Sequence, residues 1–167
     1  MTTKDFKGTV LPLCGRIYPM AMRMLGNEVD AEDAVQDIMA KLWDKRKKLE
    51  QHPNIAGFVI LTARNHCLDC LKKRKPKLDS SEVLLKSLKA NTLQNGLELK
   101  ELTNIIYTLL DALPDQQREV MMMRDLDGFE FTEIASALQL KVEHVRVLLS
   151  RARKQVSVKL KKQYSYE

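Results

Sequence analysis

Aromatic residues make up only 5% of this 167-residue chain, which holds six glycines and five prolines. Folds built from many short strands and tight turns need more of all three, so a β-rich architecture is not expected. The three cysteines, Cys14, Cys67 and Cys70, cannot close an even disulfide framework and indicate a reducing compartment. The opening MTTKDFKG lacks the apolar centre of a secretory signal, and no apolar run approaches membrane-spanning length. A cytoplasmic protein with no direct membrane insertion is expected. Also missing are a glycine-rich phosphate loop, a metal-ligand carboxylate cluster and a Ser/Cys–His arrangement. An enzyme reading, such as a nuclease or nucleotidyl transferase, therefore finds no support, and neither catalytic residues nor a cofactor nor a small-molecule substrate is assigned.

Leu, Met, Ala, Lys and Glu dominate instead, the residues that lose least on entering a helix, and an all-α protein is expected. The formal net charge is +6, unevenly spread. Residues 64–77 carry six Lys or Arg and residues 146–162 carry seven, thirteen of 28 in about a fifth of the chain. Such clustering is the electrostatic footprint of a polyanionic partner, although solvated helix faces also produce charge runs. Residues 24–40 contain no Lys or Arg at all.

Before residue 75 the pattern predicts three helical stretches. The first spans residues 5–25, interrupted or kinked near Pro12 and Pro19. Gly26-Asn27 is a stop, and Asp30 is expected to cap a second helix. There Val35, Ile38, Met39 and Leu42 recur at helical spacing, so one face is buried and Asp33, Gln36 and Asp37 occupy the other. A polar break at residues 45–54 precedes a third helix over residues 55–74, apolar at its start, basic at its end, and stopped by Pro76. Residues 77–96 read as a linker with turn signals, within which Leu84, Leu85 and Leu88 can form a short helix. Helices over residues 99–113, from Pro114 to 125, over 131–138 and over 142–162 complete the set. His66, Cys67 and Cys70 resemble part of a zinc motif, but no fourth ligand is evident and cysteine at i, i+3 on a helix is a common small filler, so no metal site is assigned. The Met121-Met122-Met123 run is read as core.

Residues 113–153 carry the most specific signal, a helix, a short turn and a basic second helix. Projected at about 100° per residue, Val142, Val145, Leu149, Ala152 and Val156 form one stripe. They are expected to pack on Ile134, Ala135 and Leu138, with small Ala135 allowing close approach and Leu140 plugging the turn. The other face then presents Glu143, Val147, Ser150, Arg151 and Lys154, flanked by His144 and Arg146. A helix-turn-helix reads DNA this way: the stripe sets the angle and the outer face meets base edges and phosphates.

With both halves in view, the chain resembles RNA polymerase sigma factors of the sigma-70 class, and most of all the extracytoplasmic-function group. The matching segments are DAEDAVQDIMAKLW (residues 30–43), AGFVILTARNHCLDCLKKRK (56–75), LPDQQREVMMMRDLDGFEFTEIA (113–135) and VRVLLSRAR (145–153). The resemblance implies two small helical domains joined by a linker, the second a four-helix domain with the helix-turn-helix: residues 1–76 for core polymerase and the −10 element, 77–97 as linker, and 98–167 for the −35 element. It implies that Asp33, Gln36 and Asp37 dock on the clamp helices of the largest polymerase subunit, and that Trp43 closes that segment as core. The break at 45–54 corresponds to the loop that captures a flipped −10 base, with Ala63, Arg64 and Asn65 at the helix start beside it and Lys72, Lys73 and Arg74 holding the promoter backbone. The helix from Glu143 to Lys154 is then the −35 reader, and the partners implied are core RNA polymerase, promoter DNA and an anti-sigma factor.

Departures from the family pattern concern specificity. Glu130 stands where a hydroxyl cap is usual, Gln139 where the turn often has Gly, Phe58 where Trp is frequent, and Val147-Leu148 replace a commoner polar or basic pair. A stand-alone helix-turn-helix regulator is the second reading, but it leaves the acidic face and the basic end of the third helix without a role.

Overall fold

The computed structural model describes residues 1–74 and 97–165. All regular structure among them is helical: α1 (Thr3–Thr9), a 3₁₀ turn (Leu11–Leu13), α2 (Cys14–Leu25), α3 (Glu28–Asp44), α4 (Arg46–Glu50), α5 (Ile55–Arg74), α6 (Leu97–Asp111), α7 (Asp115–Met121), a π-helical turn (Met122–Leu126), α8 (Phe131–Leu138) and α9 (Val142–Tyr164). The all-α, two-domain architecture expected from the sequence is the one found. The predicted linker, the Pro76 stop and the short Leu84–Leu88 helix fall outside the described residues, apart from Leu97, which opens α6.

Local chemistry explains most boundaries. Thr2 and Asp5 form a capping box at α1, the threonine hydroxyl accepting from the Asp5 N–H at 3.2 Å and the carboxylate accepting from the Thr2 N–H at 2.9 Å. Pro12 falls in the 3₁₀ turn and separates α1 from α2. Pro19 lies inside α2 without breaking it, although it removes one ladder bond there. Gly26, at φ 91°, ends α2, where a Cβ would be strained. The cap of α3 is Asn27, not Asp30: the Asn27 side chain accepts from the Asp30 N–H at 2.8 Å. Asp30 sits in the first turn, where its charge suits the helix dipole. The expected break at 45–54 also needs correcting, because Arg46–Glu50 form a helical turn around Leu49, which is fully buried.

α2, α3 and α5 pack on one another through Ile17, Met20 and Met24, Ala34, Ile38 and Leu42, and Val59, Ile60 and Cys67. In the second half Val120, Met122, Met123, Phe129, Ile134, Val145 and Leu149 form the interior, which accounts for two of the three consecutive methionines; Met121 packs against it partly buried. Cys67 is buried and its thiol is pushed up to about 12 by that burial, an inert filler rather than a ligand. The outer edge of α6 leaves Leu102 and Ile106 exposed beside Met121, Val156 and Leu160, an apolar groove.

One buried cation organises the α6–α7 corner. Arg118 is 8% exposed and donates to the carbonyls of Leu110 (2.9 Å), Asp111 (3.1 Å) and Leu113 (2.8 Å), satisfying groups that the end of α6 leaves orphaned. Its planar fork also donates to the Asp115 carboxylate at 3.1 Å, so it serves four acceptors at fixed angles, one more than the three N–H groups of an ammonium can. Arg118→Ala is expected to cost about 3 kcal/mol through the stranded carbonyls. Arg118→Lys should recover only a minor part. Urea unfolding of the two variants beside the unmodified chain checks this.

Candidate nucleic-acid interface

α9 presents its predicted face to solvent. Val145, Leu149 and Ala152 are buried against the rest of the domain, with Val142 and Val156 at the margins, while Glu143, His144, Arg146, Val147, Ser150, Arg151 and Lys154 are all exposed. Leu148 is also buried, so of the unusual Val147-Leu148 pair only Val147 is available for contact. The turn between α8 and α9 holds Gln139 at φ 57°, the left-handed conformation that explains why glycine would suit that position. Glu130 is helped by its partner at N3: the Glu133 carboxylate accepts the Glu130 N–H at 3.0 Å. Arg146 lies over the Phe131 ring, 5.5 Å from its centroid, with Arg124 4.7 Å away on the same ring. This holds one candidate DNA contact before any DNA is present.

On α3, Asp33, Gln36 and Asp37 are exposed, and the buried face is Ala31, Ala34, Ile38 and Leu42. Trp43 packs partly buried, edge-on to Phe6 at 5.2 Å and beneath Arg46 at 4.4 Å. Behind the acidic face lies His66 of α5. Its Nδ1 accepts from the Lys41 ammonium at 2.7 Å, and its Nε2 lies 3.7 Å from the Asp37 carboxylate and from Cys70 Sγ. Burial, then the Lys41 charge, hold this imidazole below its usual pKa, with Asp37 opposing them. Among the described residues no group of three or more His, Cys, Asp or Glu is placed to hold a metal ion.

The basic end of α5 is less uniform than the sequence implies. Lys72 and Lys73 are exposed, but Arg74 donates to the Leu25 carbonyl at 2.9 Å and pairs with Asp30. Ala63, Arg64 and Asn65 do not stand at a helix start. They lie in mid-α5, because Asn54 caps this helix through its side chain, which accepts the Gly57 N–H at 2.9 Å. Ala63 is fully buried, Asn65 is exposed, and Arg64 pairs with Glu119 of α7.

That last pair belongs to a seam between the two halves, formed chiefly by α5 against α8. Arg16 makes a two-pronged contact with Glu133 (2.6 and 2.7 Å), and Arg23 does the same with Asp127 (2.8 and 2.6 Å). The π-helical turn before Asp127, whose N–H reaches back five residues to the Met122 carbonyl, carries that carboxylate to Arg23. Asn54 donates to the Thr132 carbonyl at 3.2 Å. At Gly57 a Cβ would stand 2.5 Å from Ser136, so only glycine permits this approach. Sequence reasoning missed Arg16, Arg23, Glu119, Asp127 and Glu133, since pairs separated by 55 to 117 positions leave no periodic trace. Gly57 did leave a signal: a glycine inside a helix costs about 1 kcal/mol and usually has a packing reason.

The two seam carboxylates respond oppositely to their sites. Burial pushes Glu133 upward, but Arg16 and the Glu130 N–H outweigh it and hold the carboxyl below its ordinary 4.5. Burial of Asp127 outweighs Arg23 and leaves its carboxyl raised. A depressed carboxyl contributes stability that is present above its unfolded value and lost as pH falls through the folded one; a raised carboxyl contributes stability that is present at low pH and lost as pH rises. Glu133 is therefore an acid-labile element and Asp127 is not. Thermal melts below pH 4.5 should show a shallower acid-side loss for Glu133→Gln than for the unmodified chain.

Residues 13–76 match the family model "Sigma-70 region 2", and residues 103–156 match "Sigma-70, region 4". The chain is 24% identical over 156 residues to the ECF RNA polymerase sigma factor SigW of Bacillus subtilis, covering 87% of this chain and 83% of that one. It is 25% identical over 150 residues to the ECF RNA polymerase sigma-E factor of Escherichia coli, covering 78% and 74%. Its fold is shared with the sigma factor RpoE solved in complex with the anti-sigma factor NepR from Bartonella quintana, at TM-score 0.60 and 23% identity over 95% of this chain and 98% of that one. It is shared also with CnrH in complex with the cytosolic domain of CnrY, at TM-score 0.62 and 19% identity over 96% and 90%. With two regions of one family matched in order over most of the chain, the chain belongs to the sigma-70 family of RNA polymerase sigma factors, and the relatives named here are extracytoplasmic-function members of it.

Proposed function

We propose that this chain binds core RNA polymerase and directs it to a set of promoters by gripping them at two elements, working in the cytoplasm without chemistry of its own. The observation that carries the reading is the coexistence of an exposed acidic face on α3 and an exposed basic reading face on α9. DNA repels the first and attracts the second, so the two faces serve different partners. A stand-alone regulator would have no use for the α3 face.

The division of labour follows the surfaces. Residues 1–76 form the polymerase-binding and −10 domain, 77–97 the linker and 98–167 the −35 domain. Asp33, Gln36 and Asp37 dock on polymerase. Arg64 and Asn65 serve the −10 element, with Lys72, Lys73 and Arg74 along the promoter backbone. Glu143, His144, Arg146, Val147, Ser150, Arg151 and Lys154 face the −35 major groove, where Arg151 suits guanine or phosphate and Val147 suits a thymine methyl. Duplex opening is driven by binding of single strand and a flipped base. An anti-sigma factor is the matching inhibitor, and the apolar groove of Leu102, Ile106, Met121, Val156 and Leu160 is a surface suited to a protein partner.

Replacing Asp33 and Asp37 together by Lys is expected to abolish binding to core polymerase in a pull-down while leaving the melting temperature nearly unchanged, since both side chains are exposed. Retained binding would remove the docking assignment. In reconstituted transcription, with start sites identified by sequencing, Arg151→Ala should weaken −35-dependent initiation and Asn65→Ala should act through the −10 element. Loss of the same promoter dependence in both would overturn this division.

A further inference from the structure

Residues 24–40 hold no Lys or Arg, and Lys41 is the first cation after them. It stands four positions beyond Asp37 on α3, with the acid on the N-terminal side, the order in which an i, i+4 ion pair closes most readily on a helix surface. Such a pair would neutralise one of the docking carboxylates. It is not formed. Among the described residues Lys41 makes no ion pair with Asp37, and its ammonium donates instead to Nδ1 of His66 on α5 at 2.7 Å. The Asp37 side chain is left 68% exposed, with His66 Nε2 at 3.7 Å. We infer that His66 is a positioning residue for polymerase docking, which draws Lys41 off Asp37 and leaves the acidic face of α3 its full negative charge.

The arrangement depends on a neutral imidazole. An ammonium only donates, so the Lys41 contact requires a lone pair on Nδ1 and places the single ring proton on Nε2, which lies 3.7 Å from both the Asp37 carboxylate and Cys70 Sγ. A second proton would remove the acceptor. Lys41 would then be released within reach of Asp37, and an imidazolium would stand beside the same carboxylate, so two cations would oppose one docking anion. The surroundings decide when that happens. His66 shares a cleft of about 140 Å³ with Asp30, Asp33 and Asp37 of α3 and with Cys70 and Arg74 of α5, while α2 contributes the uncharged Leu25. Arg74 is paired with Asp30. Burial, Lys41 and Lys73 disfavour the imidazolium, Asp37 and Asp69 favour it, and the balance holds His66 below the ordinary 6.5. Loss of the Lys41 contact, and of docking strength with it, therefore lies on the acid side of that value.

This role rests on the assignment of Asp33, Gln36 and Asp37 to polymerase, and two measurements keep the two apart. The first needs no partner. Nitrogen–proton correlation spectra of the whole chain near neutral pH, with the His66 signals identified by their loss in His66→Asn, should show a proton on Nε2 and none on Nδ1. A proton on Nδ1 would overturn the Lys41 contact. The second is the affinity of the fluorescently labelled chain for core polymerase, read by anisotropy at about pH 7.5 and about pH 5.5. At the higher pH His66→Leu frees Lys41 to close on Asp37 and should weaken binding about threefold. Adding Lys41→Gln should restore it, since the competing cation is gone. His66→Asn keeps an acceptor near the place of Nδ1 but cannot titrate. It should bind like the unmodified chain at the higher pH and escape a further weakening of about threefold at the lower one, the polymerase's own titration being common to both. An equal loss from His66→Leu with Lys or Gln at position 41, in variants that keep their helical circular dichroism, would reduce His66 to packing and overturn the role. One pH profile shared by His66→Asn and the unmodified chain would overturn it too. Should Lys at positions 33 and 37 leave polymerase binding intact, the docking assignment fails and the positioning role falls with it, while a proton on Nε2 still establishes the Lys41 contact.

Discussion

The approach of α5 to α8 at Gly57 is the constraint on which the arrangement of this molecule depends. With no Cβ at that position, the Ser136 side chain can settle against the α5 backbone, and the two halves come close enough for short side chains to bridge them. The Asn54 amide then reaches the Thr132 carbonyl, and the arginines of α2 and α5 reach carboxylates on α7, on α8 and beside the π-helical turn. Any larger residue at position 57 would hold these groups apart, and charges now paired would be left facing water or one another.

The pairs themselves differ in worth. Arg23 and Asp127 are nearly excluded from solvent, so their attraction must offset a substantial desolvation cost, and the upward-shifted Asp127 carboxyl records that cost. Arg16 is more exposed and Glu133 also caps α8, so that pair couples the seam to the helix-turn-helix itself. An interface held by such contacts gives orientation more than affinity. That is a sensible property for two halves that must grip different promoter elements, because a seam of apolar side chains would be much harder to part.

The helices and the faces they expose were largely legible in the chain. α5 begins, and α8 begins and ends, where the sequence pattern placed them, and the recognition stripe Val145, Leu149 and Ala152 is buried as its spacing required. Misreadings were local. Asp30 and Asn27 are both good caps, and their competition is settled by Gly26, whose left-handed turn leaves Asn27 as the next residue in extended conformation. The turn at Arg46–Glu50 was hidden because five mostly charged residues give no periodic signal around a single buried leucine.

Composition, periodicity and charge clustering therefore determined the helical class, the helix-turn-helix and the segregation of an acidic face from basic ones, since all of these depend on neighbours within about a turn or two of helix. Which arginines stay available was decided by tertiary structure alone. Lys72 and Lys73 remain exposed while Arg64 and Arg74 are paired, and Arg146 is held over Phe131. The physical reason is that a guanidinium takes whichever carboxylate, carbonyl or ring the fold brings within reach. For Arg64 that group lies fifty-five positions away, and for Arg74 forty-four, distances over which a local pattern carries no information.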